Sequence, residues 1–184
     1  TKTISGNRGI TIGDVQYPQN IFTVWSAAER EAIGIYEVVF DNSNKRDEVF
    51  YTITKVSYAF ADGVVTASYG SPTAKSLDDV TDEDDNVTLG LKSQKKEIIK
   101  QQASGLLTPT DWYVIKATEV ESYSVPSAIT TYRANVRTKS NDMEVLIDAC
   151  STVDELAALY QHVNTGTEEE PVMERPLGEF PEAV

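Results

Sequence analysis

The chain has 184 residues, 40% of them hydrophobic and 24% charged, with a mean hydropathy of -0.31, a balance that excludes both a low-complexity disordered chain and a membrane-spanning one. One domain or two small ones are expected at this length; no run of about 18 apolar residues offers a transmembrane helix, and residues 1–10 lack the apolar core of a signal peptide, so folding in the cytosol is expected. The formal net charge of -13 argues against nucleic acid as a partner, and the single cysteine, Cys150, excludes an intrachain disulfide and a cysteine-based zinc site.

The acid is unevenly placed. Residues 78–85 carry six acids, and residues 166–184 carry six acids against Arg175 alone. These two stretches hold -6 and -5 of the -13, which leaves the rest of the chain nearly neutral.

In chain order, Ile4, Ile10 and Ile12 with Gly6, Gly9 and Gly13 predict a short hairpin, broken by Tyr17-Pro18. A helix is expected at 26–33, where Ser26 and Glu29 form a capping-box pair and Gly34 supplies the stop. Strands follow. Ile35 to Phe40 is rich in β-branched and aromatic residues, and Asp41 to Asn44 reads as a turn. Phe50 to Phe60 alternates with apolar and polar residues on both faces, and Ala61-Asp62-Gly63 turns it into a strand from Val64 to Tyr69.

Beyond the acidic run the composition shifts to Lys, Gln, Glu and Ala, which predicts one helix over 87–107, stopped by Thr108-Pro109. Thr110 is placed to cap a short helix holding Trp112 and Ile115, and Pro126 to open a long one. Ile129, Tyr132, Val136, Met143, Leu146 and Cys150 follow a 3,4 spacing interrupted only by Lys139, which predicts a single buried stripe. Thr152 and Glu155 form a second capping-box pair, and Val153, Leu156, Tyr160 and Val163 continue a helical stripe. The fold class expected is α+β: a small antiparallel β domain (1–76), an acidic linker (77–86), an antiparallel helical unit (87–165) and an extended acidic tail (166–184).

Chemistry-bearing motifs are few. Asp82, Asp84 and Asn86 match the start of a calcium loop, but Val87 stands where that loop needs Gly and Ser93 where it needs a bidentate Glu, so a solvated acidic linker is the better reading. Asn86-Val87-Thr88 is a glycosylation sequon by chance. His162, at the end of the last predicted helix, is expected to be structural, and no nucleophile-elbow, phosphate-loop or zinc-protease motif occurs. No catalytic, metal or cofactor residue is therefore assigned, and a hydrolase acting through paired carboxylates is an alternative that no particular pair supports. Trp25 and Trp112 each stand beside a predicted helix start, as core anchors or as exposed recognition residues.

Leu106-Leu107-Thr108-Pro109-Thr110-Asp111-Trp112, followed by Val125-Pro126 and by Tyr132-Arg133-Ala134-Asn135-Val136-Arg137, resembles the "LL-x-x-TDW … YR-x-x-[LV]-R" pattern of tailed-bacteriophage tail-fibre assembly proteins and related small phage tail proteins. The resemblance covers roughly 90–150. Tyr17 to Phe22 with Trp25-Ser26 and Ile33-Gly34-Ile35 resembles the N-terminal region of phage tail proteins sharing that helical end. It implies a phage origin, in one of two roles: a structural component of the virion tail, baseplate or fibre attachment, or a fibre-assembly chaperone. The Trp-rich segment seen ahead of the helices in fibre chaperones is absent, which favours the virion role. The expected partners are other phage structural proteins and copies of the chain itself, without nucleic acid or membrane, and the expected location is the virion, after folding in the host cytoplasm.

Two sets of partner-binding residues are expected. Arg133 and Arg137, four apart on one helix face, can meet an acidic partner or the chain's own Asp111 and Glu119. Residues 166–184, with prolines at 171, 176 and 181, are expected to run extended across a neighbouring subunit, with Val172, Met173, Leu177 and Phe180 as anchors. Ordering each residue costs about 1–2 kcal/mol, and those four side chains are the only evident compensation. On this reading, removal of 166–184 leaves the isolated fold intact and weakens assembly.

Overall fold

A computed structural model of the chain describes residues 4, 8–53 and 55–184, so Gly6 of the expected first hairpin and Thr54 of the expected strand 50–60 lie outside the described residues. The fold is mixed α+β and divides into two compact units, Thr1–Thr73 and Ala74–Val184.

In the first unit, β1 (Ile10–Ile12) and β2 (Val15–Tyr17) form the hairpin, later in the chain than the isoleucine spacing suggests, with the turn at Gly13 and Asp14. A single helical turn, α1 (Ile21–Val24), which the sequence pattern does not predict, precedes α2 (Ala27–Glu31). The capping box of α2 is present as expected: Ser26 Oγ accepts from the Glu29 N–H, and the Glu29 carboxylate accepts from the Ser26 N–H at 2.8 Å. Its C-terminus closes where Gly34 and Ile35 donate to the carbonyls of Glu31 and Arg30. Arg30 then donates to the carbonyls of Phe22 and Trp25 and pairs with Glu37 at 2.8 Å, tying the two short helices together.

The sheet of this unit contains β3 (Val38–Asp41), β5 (Ser57–Ala61) and β6 (Val64–Ser68), with β6 in the centre; β4 (Tyr51–Thr52) and β7 (Thr73–Ala74) are two-residue strands. The expected continuous strand 50–60 is thus two separate pieces. The expected sheet is antiparallel, and β5–β6 is an antiparallel hairpin, but β3 runs parallel to β6 with Val38 opposite Val65. Asp62 and Gly63 turn the hairpin with φ of 51° and 79°, the pair of positive values a two-residue turn needs to follow strand twist.

In the second unit, the acidic run is exposed to solvent as expected but is not irregular. It forms the hairpin β8 (Val80–Thr81) and β9 (Val87–Thr88) around a turn in which Asp82 Oδ1 accepts from the Asp84 and Asn86 N–H groups at 2.9 Å. The bonds from Asn86 hold the Asp82 carboxyl below its usual range. The helix expected from 87 starts only after Gly90, as α3 (Leu91–Leu107). The preceding hairpin caps it from outside: Asp79 accepts from the Gly90 N–H at 2.8 Å and from Ser93 Oγ at 3.0 Å, while Leu91 and Lys92 donate to the Ser76 and Leu77 carbonyls. The backbone of Asp78 comes so close that a Cβ on residue 90 would lie 2.3 Å from its carbonyl, which requires glycine there.

A 3₁₀ turn (Thr108–Thr110) leads into α4 (Asp111–Glu119), with Thr110 bonding back to Leu107 rather than capping. The long helix α5 (Ser127–Ala149) lies antiparallel on α3, bridged by Lys96–Asp148 at 2.7 Å and Lys100–Glu144 at 3.2 Å. Its buried stripe is Ile129, Tyr132, Val136, Ser140, Met143 and Ile147, so the expected Leu146 is replaced by Ile147 and the Lys139 interruption by Ser140. At about 100° per residue, Ile147 lies five whole turns beyond Ile129, whereas Leu146 falls about 100° aside. A strict 3,4 spacing is kept only by supercoiled helices, and α5 keeps the straight helical period.

The last helix, α6 (Val153–Ala158), has the expected Thr152–Glu155 capping box and buries Val153, Leu156 and Ala157. It ends before the expected 163: Val163 instead begins β10 (Val163–Asn164), which pairs with β11 (Met173–Glu174), and His162 is exposed just ahead of β10.

Ile147→Ala should destabilise the C-terminal unit by about 2–5 kcal/mol in denaturant unfolding, and Leu146→Ala by less than about 1 kcal/mol. The Asp79 carboxyl is held low mainly by the Gly90 N–H, so its cap is complete above the usual carboxylate range and is lost as pH falls through the depressed folded value. The melting temperature of Asp79→Ala should accordingly fall below that of the wild type at pH 7, and the gap should close in acid.

Candidate interaction surfaces

The two units present different surfaces. On the sheet of the first unit, register places Val38, Phe40, Tyr58, Phe60, Val65 and Ala67 on one face, which gathers all the aromatics, and Val39, Asp41, Ser57, Ala59, Ala61, Val64, Thr66 and Ser68 on the other. The apolar face is buried only at its centre, where Val65 and Ala67 lie; Phe40 and Phe60 are each 57% exposed and Tyr58 39%. Beside it opens a hollow of about 510 Å³ walled by isoleucines 10, 12, 33 and 35 and by Tyr58 and Phe60. Tyr36 packs on Phe60 with ring centroids 4.7 Å apart. Full burial of one such aromatic contributes about 1.5–3 kcal/mol, a stabilisation that this unit by itself does not gain.

In the second unit, Arg133 is 9% exposed and its guanidinium is engaged inside the chain. One nitrogen donates to the Leu107 carbonyl at 3.0 Å and to Thr110 Oγ1, and the other pairs with Asp111 at 2.8 Å. Arg133 is therefore a bracket between α5 and the end of α3, not a contact for an acidic partner, and Asp111 rather than Glu119 is its carboxylate. Arg137 is exposed on the rim of a polar groove of about 510 Å³ that also holds Lys100, Asp111 and Glu144, and it donates to the Arg133 carbonyl at 3.4 Å.

Two of the four expected tail anchors, Leu177 and Phe180, pack within the chain itself. Leu177 is 3% exposed and its N–H donates to the Leu159 carbonyl at 3.1 Å. A turn closed by Gly178 N–H on Arg175 O and an Arg175–Glu179 ion pair then brings Phe180 against Ala103, Tyr132 and Val136. The tail's ordering is compensated by a groove of its own unit. Near it Tyr160 is buried enough to push its phenol up to about 12. Val172 and Met173 do remain outside, 49% and 56% exposed on the β10–β11 hairpin.

The helix α4 buries no residue at all. Trp112 is half exposed, stacked on Tyr113 with Lys116 at 5.9 Å from its ring, and Ile115 is 55% exposed. Trp25 is half-buried, edge-on to Tyr17 at 5.9 Å. Of the two tryptophans, only Trp25 packs as an anchor. The apolar sheet face is not evident from the sequence. Its signal, aromatics at alternate positions 58 and 60 and again at 40, marks a strand face but not its exposure.

Among the described residues no cluster of three His, Cys, Asp or Glu side chains could hold a metal ion, and no helix is long and apolar enough to cross a membrane. No protein-family model, curated protein or solved structure matches the chain.

Leu177→Ala should cost about 2–5 kcal/mol in chemical denaturation of the full chain, whereas Val172→Ala should stay within about 0.5 kcal/mol.

Proposed function

We infer that the chain is a non-enzymatic structural protein that joins neighbouring subunits, in the tail, baseplate or fibre-attachment region of a bacteriophage virion. The joining role rests on one observation: the N-terminal unit gathers Phe40, Tyr58 and Phe60 on a single sheet face and leaves all three exposed. A soluble monomer rarely keeps such a patch without a use for it, and a partner's surface is its natural cover.

The phage assignment is supported by the sequence resemblance. The residues that carry it meet in one place: Tyr132 Oη donates to the Leu106 carbonyl at 3.4 Å, and Arg133 reaches Leu107, Thr110 and Asp111. The pattern's two halves thus form one α3–α5 corner, which gives its spacing a structural reason. A second reading, a fibre-assembly chaperone, draws on the uncovered Trp112 and Ile115 of α4, a face suited to transient binding.

Mass spectrometry of purified particles separates the two. A virion component is present at fixed stoichiometry in mature particles. Absence from them, with soluble fibre requiring the chain during co-expression but not retaining it, would replace the virion role by the chaperone role.

A further inference from the structure

We propose that two copies of this chain associate through strand β5, paired antiparallel about a two-fold axis at Ala59, so that two three-stranded sheets become one of six strands. This deepens the joining role given above and rests on that role, not on the phage origin.

With β6 in the centre, β5 is an edge strand, and among the described residues no backbone bond reaches Ser57–Ala61 from outside the sheet. The two-residue turn at Asp62-Gly63 makes Ala61 and Val64 a hydrogen-bonded pair, and alternation then makes Ala59–Thr66 and Ser57–Ser68 bonded pairs as well. The N–H and C=O groups of Tyr58 and Phe60 consequently point away from β6, toward the open edge. An antiparallel second β5 centred on Ala59 sets Tyr58 opposite the other copy's Phe60 and Phe60 opposite its Tyr58. Both are hydrogen-bonding positions, so the register satisfies every outward group of the two residues without a bulge or shift.

Side chains favour the same register. Each Tyr58–Phe60 pair is an aromatic cross-strand pair on the apolar face, and the isoleucine-walled hollows of the two copies adjoin there. The strand Ser-Tyr-Ala-Phe-Ala has no charge, proline or bulge, the usual devices that keep an edge from pairing. Charges flank it instead, Lys55 before and Asp62 after. Antiparallel pairing brings the Lys55 end of each copy to the Asp62 end of the other, whereas parallel pairing would set like charge beside like.

The wider charge distribution points to a second copy meeting at this unit rather than the other. Residues 1–73 hold six basic and eight acidic residues, a net -2, while residues 74–184 hold ten basic and 21 acidic, a net -11. Copies approaching through the first unit meet little repulsion, and through the second they meet a great deal.

Ala59 offers the test, because its side chain is exposed on the face opposite the aromatics and its replacement disturbs neither the aromatic layer nor the β5–β6 bonds. Sedimentation analysis of the full chain should show a dimer. Ala59→Lys and Ala59→Glu should each weaken self-association about tenfold or more, by placing like charges face to face at the axis, with circular dichroism unchanged. Mixing the two variants should restore the dimer. A wild-type chain that remains monomeric would overturn the proposal, as would a dimer indifferent to both variants or variants that fail to rescue one another. None of these outcomes bears on whether the chain is found in phage particles.

Discussion

The packing of α5 on α3 is the contact on which the C-terminal unit depends. Ile129, Tyr132, Val136, Met143 and Ile147 line one straight edge of α5, and Val136 and Ile147 lose all contact with solvent. At one end of that seam Arg133 takes a charge into the protein, which is tolerable only because Leu107, Thr110 and Asp111 receive its donors. The same seam presents Ala103, Tyr132 and Val136 to Phe180, so the groove that holds the C-terminal residues exists only while the two helices are together.

Four of the chain's acidic residues are employed locally. Asp79 caps α3, Asp82 organises the tip of its hairpin, and Glu29 and Glu155 complete capping boxes. In each case a carboxylate accepts from backbone N–H groups that a helix start or turn leaves unpaired. A high negative charge therefore coexists with ordered acidic segments, because the carboxylates have fixed donors and are not merely exposed to solvent.

The N-terminal unit follows another logic. Its elements are short, and a piece of this size buries a smaller share of its surface than a larger domain would. Ile21, Phe50, Tyr51, Val65 and Ala67 make its described core, while the aromatics at the sheet margin stay in water. The proposed edge pairing would continue that apolar face from one copy into the next, and the near-neutrality of the unit permits it. Fold and proposed role meet in that incompleteness.

Features set by neighbours along the chain are legible in the sequence itself: the capping boxes at Ser26 and Thr152, the Asp62-Gly63 turn, and the existence of α5. Each is a contact across three or four residues or a conformational preference of one dipeptide, so the local sequence determines it. The stripe is legible at Ile129, Tyr132, Val136, Met143 and Cys150, but at 139–140 and 146–147 a 3.5-residue period and a 3.6-residue period choose different residues. Tertiary structure alone decides the rest. Asp79 caps a helix that begins after Gly90, β3 lies parallel beside β6, and Leu177 and Phe180 return to helices their own chain has already built. Such contacts join residues whose separation in sequence says nothing of their separation in space, so composition can label the acidic run and the tail as polar but cannot show what they pack against.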